Sequence, residues 1–307
     1  MTESAFEIDA TNKHFVPKFY LRGFCLGHSP KQIYVFDRQN PDADVQIRSI
    51  DKIEVSKDAY SVTIDALISQ REREWSSSLA FICQRNADDL NRLIVDREDS
   101  AEFRRGLASF VVDMRRRSRG VREGVLEPLK ELRLQLRQSL AESADTTVSQ
   151  NPELKSQLPN GLRQAERELG LDNDRRFAAI YFDPIVDDDL DDPHYKWHQD
   201  GSWSFEEAFE GREFITSDIP SHSLLLGPEP ENSNWMLFVM PLSKRLQLTG
   251  FCGNARLPSG FLPRVGELDD REIDLANLCI FRSAARFVYG SSESELLRAR
   301  DADAEQP

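Results

Sequence analysis

The chain has 307 residues with 39% hydrophobic content, enough for a sizeable core, and a net charge of -14 that opposes indiscriminate attraction to DNA, RNA or anionic lipid. Cysteines stand singly at Cys25, Cys83, Cys252 and Cys279, which argues against a disulfide framework or a CxxC zinc knot. The first residues lack the basic start and apolar run of a signal peptide, and no apolar stretch approaches the roughly 20 residues of a membrane helix, so a cytoplasmic protein with no membrane partner is expected.

In chain order, residues 11–62 read as a small α+β opening, with a short aromatic helix from Pro17 and strands at 32–36 and 58–62. Helical periodicity then runs through 64–142 as three helices, an insertion carried by apolar positions such as Trp75, Leu79, Ile82, Leu107, Phe110, Leu132 and Leu136. Residues 143–161 are polar and proline-interrupted, which predicts a loop, and a short helix is expected over 162–171. The stretch 172–290 is predicted to be β-rich, with strands at 178–182, 213–216, 235–240 and 245–251, and an apolar helix over 273–289. Residues 291–307 read as a tail, polar and frayed from Arg300. Regular βαβ alternation is missing, so the expected class is α+β: a mixed or antiparallel sheet with a helical insertion and a closing C-terminal helix.

Residues 101–140 hold ten basic side chains against five acidic ones, including the run Arg115, Arg116 and Arg117. That is either a nucleic-acid or phosphate surface or a solvated helix face. His14 precedes Val16-Pro17 at a helix start, where an imidazole suits general base work or metal binding, or else local packing. Ser217 and Asp218 stand where an extended run ends before Pro220, a place that suits a catalytic carboxylate and equally an Asx-type turn. Asn277, Arg282 and Arg286 lie in the expected last helix, where an arginine pair could meet Asp218 or receive a phosphate.

Asp37, Lys57 and Glu74 supply the acids and lysine a metal-dependent nuclease needs, and a divalent metal would be its cofactor. His194 and His198 follow six aspartates between 183 and 192, better read as a solvated acidic loop than as a metal site, and no metal ligand set is assigned. No GxSxG elbow surrounds Ser217 or Ser243, and neither GxGxxG nor GxxxxGK[ST] occurs, which disfavours hydrolase-elbow, dinucleotide and P-loop readings.

The run His14-Phe15-Val16-Pro17-Lys18-Phe19-Tyr20-Leu21-Arg22-Gly23-Phe24 fits an HxVPxxYLxxF pattern. A strand at 33–38 follows, then Ser217-Asp218-Ile219-Pro220, Pro241-Leu242-Ser243, and Asn277 with 285–289. In that order they resemble the domain-of-unknown-function 4238 family over residues 11–290. The resemblance also marks the acidic position near Glu74 on the first long helix. It implies one family domain and a bacterial role in defence against phages. Two functional expectations follow: a phosphodiesterase or nuclease using His14, Asp218, Glu74 and Arg286, or a binding and sensing module that recognises a phage protein or nucleic acid. The latter would use Arg115, Arg116, Arg117, Ser217, Asn277 and Arg282, and self-association into homo-oligomers is compatible with either.

Overall fold

The computed structural model describes residues 13–53, 55–56, 62–95, 100–156, 158–168, 171, 201–226, 235–252 and 266–305. The expected strand at 178–182, the acidic run with His194 and His198, and Lys57 all lie outside them. The chain divides into two compact units, one of residues 12–56, 69–121 and 189–307 and a smaller one of 1–11, 57–68 and 122–188. The elements are β1 (Lys13–His14), α1 (Lys18–Leu21), β2 (Gln32–Asp37), β3 (Gln46–Ser49), β4 (Val55–Ser56), α2 (Val62–Cys83), α3 (Ala87–Val95), α4 (Ser100–Arg117), α5 (Arg119–Gln150) and α6 (Leu158–Glu168). They continue with β5 (Ser202–Ala208), β6 (Thr216–Ser217), β7 (His222–Leu226), β8 (Trp235–Pro241), β9 (Leu246–Cys252), β10 (Gly266–Leu268), α7 (Asp270–Ser283), β11 (Phe287–Gly290) and α8 (Glu293–Glu305).

This is an α+β fold. Among the described residues five strands form a mixed sheet in the order β10-β5-β9-β8-β7, parallel between β10 and β5 and antiparallel between the others. Four form an antiparallel sheet in the order β3-β2-β11-β6, and β1 pairs with β4. One face of the larger sheet, through Trp203, Phe205, Phe238, Met240, Leu246 and Leu248, shares a core with Val16, Tyr20 and Phe24 of the opening, Trp75, Leu79 and Ile82 of α2, and Leu107 and Phe110 of α4. Phe36 and Val288 of the smaller sheet, with Ile215 just before β6, pack with Ile280 and Phe281 of α7 and Leu296 of α8. Gly250 faces Phe238 in register, and a Cβ there would fall 1.8 Å from the Phe238 ring, so only glycine lets that aromatic lie flat across β9.

Several sequence expectations change. Residues 143–150 continue α5 rather than forming a loop, and there Ser143, Thr146, Thr147 and Ser149 donate their hydroxyls to the carbonyls four residues back, so these polar side chains are satisfied within the helix. A short 3-10 turn over Pro152–Ser156 and then α6 follow, where a loop was expected to Gly161. Within this smaller unit Arg133 donates to the Leu171 carbonyl and Arg137 pairs with Glu166. Among the described residues four helices, not three, occupy the helical region, since α2 stops at Cys83 and α3 starts at Ala87. Val62, expected in a strand, opens α2, and of 213–216 only Thr216 is paired as strand.

The expected helix over 273–289 ends at Ser283 and turns into strand β11. Its start is held by a capping box between Asp269 and Glu272. The expected frayed tail is α8, whose Leu296 and Ala299 are buried and whose Asp303 pairs with Arg282.

Candidate functional site

The sequence motifs meet in space, and most of them meet as scaffold. Val16, Tyr20, Leu21 and Phe24 are fully buried. The Tyr20 hydroxyl donates to the Pro241 carbonyl at 2.6 Å and lies 2.8 Å from the Thr216 hydroxyl, and burial pushes its pKa up. The Gly23 carbonyl accepts from the Lys244 N–H at 2.9 Å, and the Ser243 hydroxyl accepts from the N–H groups of Arg245 and Leu246 at 3.2 and 3.1 Å. The opening helix is thus tied to a serine-capped turn at 241–246.

Asp218 is buried, and its carboxylate accepts the backbone N–H groups of Ala285, Arg286 and Phe287 at 2.9, 2.8 and 3.0 Å. Burial pushes its pKa up while those three donors pull it down. This carboxylate is the physical reason α7 stops where it does: it collects the N–H groups that leave the helix and turns them into β11. Ser217 donates to the Ile219 carbonyl at 2.7 Å and accepts from the Ile219 N–H at 3.1 Å, a local turn. Asn277 accepts from the Ile215 N–H at 3.0 Å and donates to the Glu213 carbonyl at 3.0 Å and to Glu295 at 3.3 Å.

Arg282 and Arg286 do not form a buried pair on one helix. Arg286 lies beyond the end of α7, is 48% exposed and binds Asp37 at 2.8 Å, which holds the Asp37 carboxyl below its usual range. Arg282 is exposed and bound to Asp303 at 2.7 Å. Asp218 and Arg286 are therefore joined through the backbone. No hydrogen bond or ion pair among the described residues joins His14, Glu74 and Asp218.

His14 is half-buried, and its Nδ1 stands 3.0 Å from the Ile53 carbonyl. A carbonyl only accepts, so the neutral ring carries its proton on Nδ1 and leaves Nε2 as a lone-pair nitrogen. Burial lowers the pKa from 6.5, favouring that neutral form. The His14 carbonyl accepts from Arg117 Nη2 at 3.1 Å, and the same nitrogen binds Glu72 at 2.6 Å. Arg117, read from sequence as part of an exposed basic run, is only 1% exposed, whereas Arg115 is exposed; the Arg116 side chain lies outside the described ones. A second pair with one buried partner, Arg71 with the fully buried Asp113 at 3.0 Å, lies beside it between α2 and α4.

Farther along the same two helices a groove of about 620 Å³ opens. Trp75, Leu79, Leu107 and Phe110 form its apolar floor, and Glu74, Glu102 and Arg105 stand on its rim. Ser109 belongs both to the groove and to the polar seam, because its hydroxyl reaches Asp113 at 3.4 Å. Glu74 and Glu102 are exposed and make no side-chain hydrogen bond or ion pair among the described residues. Gly106 lines the groove from the middle of α4, and a Cβ added there would meet nothing within 4 Å.

Sequence reasoning passed over Gly106, Arg71 and Asp113. Asp113 carried a usable signal, an aspartate inside the apolar stripe Leu107–Met114. Arg71, 42 residues away from its partner, carried none.

Among the described residues no group of three or more His, Cys, Asp or Glu side chains is placed to hold a metal ion, and no helix is long and apolar enough to cross a membrane. Cys25, Cys83 and Cys279 are free thiols. No curated protein and no solved structure matches the chain. The motifs that knot the opening helix to the 241–246 turn and the 285–287 backbone to Asp218 lie within residues 12–294, which match the family described as protein of unknown function (DUF4238), and the chain belongs to that family.

Proposed function

We propose that this chain is a non-catalytic recognition module in bacterial defence against phages, and that the groove between α2 and α4 takes an apolar, positively charged segment of a phage protein. The carrying observation is the groove itself: an opening between α2 and α4 whose base is set by the nearly buried Trp75, Leu79, Leu107 and Phe110, beneath two unengaged carboxylates, Glu74 and Glu102, against one guanidinium, Arg105. A glycine in mid-helix costs about 0.5–1 kcal/mol relative to alanine, and at Gly106 its effect is to leave that space clear. The overall charge of -14 favours a basic partner. A protein ligand is better supported than nucleic acid because Arg117 turns inward to Glu72 and His14. The defence role rests on the resemblance alone.

Gly106→Trp fills the groove from its own wall. The expected result is a variant as stable as the wild type that no longer protects cells in a phage plaque assay; unchanged protection with an occupied groove sinks the reading.

A second reading, a phosphodiesterase or nuclease with His14 as general base, draws on the unprotonated Nε2 of that ring. It predicts the opposite pattern, in which His14→Asn loses protection at unchanged stability while Gly106→Trp keeps it.

A further inference from the structure

The second face of the five-stranded sheet carries a polar rectangle that the groove does not use. Ser204 pairs with Thr249 and Glu206 with Gln247 across β5 and β9, so all four side chains leave the same face. Glu206 is 6% exposed; one carboxylate oxygen accepts from Thr249 Oγ1 at 2.7 Å and Gln247 Nε2 at 2.9 Å, and the other only from Ser204 Oγ at 3.4 Å. Every donor is neutral. Among the described residues no Lys, Arg or His bonds to this carboxylate, and the charged group that α7 brings toward it is another carboxylate, Glu272. Its neighbour Glu207, by contrast, points to the opposite face and caps the Ala87 N–H at the start of α3.

A second deficit lies beside the first. Gln247 is 2% exposed, and its Oε1 is buried without a hydrogen-bond partner. The same amide donates its nitrogen to Glu206, so bond geometry keeps the orphan oxygen within about 5 Å of the carboxylate. A buried charge without a counter-charge and a buried acceptor without a donor are each costly; the first calls for positive charge and the second for a donor or a cation. A proton on Glu206 removes only the charge, whereas a cation between the two groups answers both.

We infer that Ser204, Glu206, Gln247 and Thr249 form a binding site for one small monovalent cation, an alkali-metal ion or ammonium. Oxygen-only donors select a hard cation, and a single carboxylate suits one positive charge better than two. Access is present. On β10 the residue in register with Glu206 is Gly266, whose absent side chain leaves at least 4 Å of clear space, and Thr249 is only half-buried. An ion held there bridges β5 to β9 and adds stability by mass action.

The test is thermal unfolding of the full chain at neutral pH and matched ionic strength in sodium, potassium, ammonium and tetramethylammonium chloride, with magnesium and calcium chloride as further arms. At least one small monovalent cation is expected to raise the unfolding midpoint by a few degrees over tetramethylammonium, which is too large to enter. Glu206→Gln is expected to fold and to erase that difference; should it fail to fold, Thr249→Val serves, with a reduced difference expected. Equal midpoints in all the monovalent salts, a response to divalent ions alone, or an ion-specific difference that survives in the variant would each overturn the site. So would midpoints indifferent to the cation that rise on mild acidification, because Glu206 would then be neutralised by a proton.

Discussion

Asp218 and His14 were the two strongest catalytic candidates, and their surroundings separate them. Asp218 spends its carboxylate on three backbone N–H groups. Asp218→Asn puts an amide N–H against some of those donors, so a loss of about 2–4 kcal/mol is expected in the urea midpoint; a variant as stable as the wild type would return Asp218 to the catalytic candidates. His14 titrates instead. Its folded pKa is lowered below 6.5 by burial, so as pH falls through 6.5 the unfolded chain takes the proton first. Its contribution to stability is therefore complete above 6.5 and declines below it until the folded ring protonates too. His14→Asn keeps a donor for the Ile53 carbonyl and lacks that slope, a difference visible in denaturation midpoints measured across this range; His222, also lowered by burial, contributes equally to both proteins.

Helix α4 does two jobs that its sequence states only in part. Its apolar stripe was legible from periodicity, whereas the contrast between buried Arg117 and exposed Arg115 was not, because both read as one basic run. Gly106 offers the cleanest probe of the element. Gly106→Ala is expected to raise stability by about 0.5–1 kcal/mol in a denaturant titration, since the added methyl meets no neighbour and the unfolded chain loses freedom. Two boundaries that sequence misplaced show how polar residues mislead: the serines and threonines of 143–149 satisfy their hydroxyls on the α5 backbone instead of breaking the helix, and Asp218 receives the N–H groups beyond the end of α7 from more than sixty positions upstream.

At the scale of the whole molecule, the C-terminal helix is held to its unit by Arg212, which binds Glu295 of α8 at 2.7 Å and Asp270 and Asp274 of α7. Glu295 is buried, so Arg212→Met leaves an uncompensated carboxylate there, and a loss of about 3–5 kcal/mol with early detachment of α8 in hydrogen exchange is expected. Protection of α8 unchanged from the wild type would show that its apolar contacts suffice. By itself the sequence determined the α+β class, the four motif segments and their family, and the apolar stripes, because each is written in neighbouring residues whose spacing follows the helical or strand period. Only the tertiary structure decided which polar residues are scaffold and which remain open. The partners that decide it stand far apart in the chain, as with Arg117 and the His14 carbonyl 103 residues away or Asn277 and the Ile215 N–H 62 away, and no local pattern encodes such a meeting.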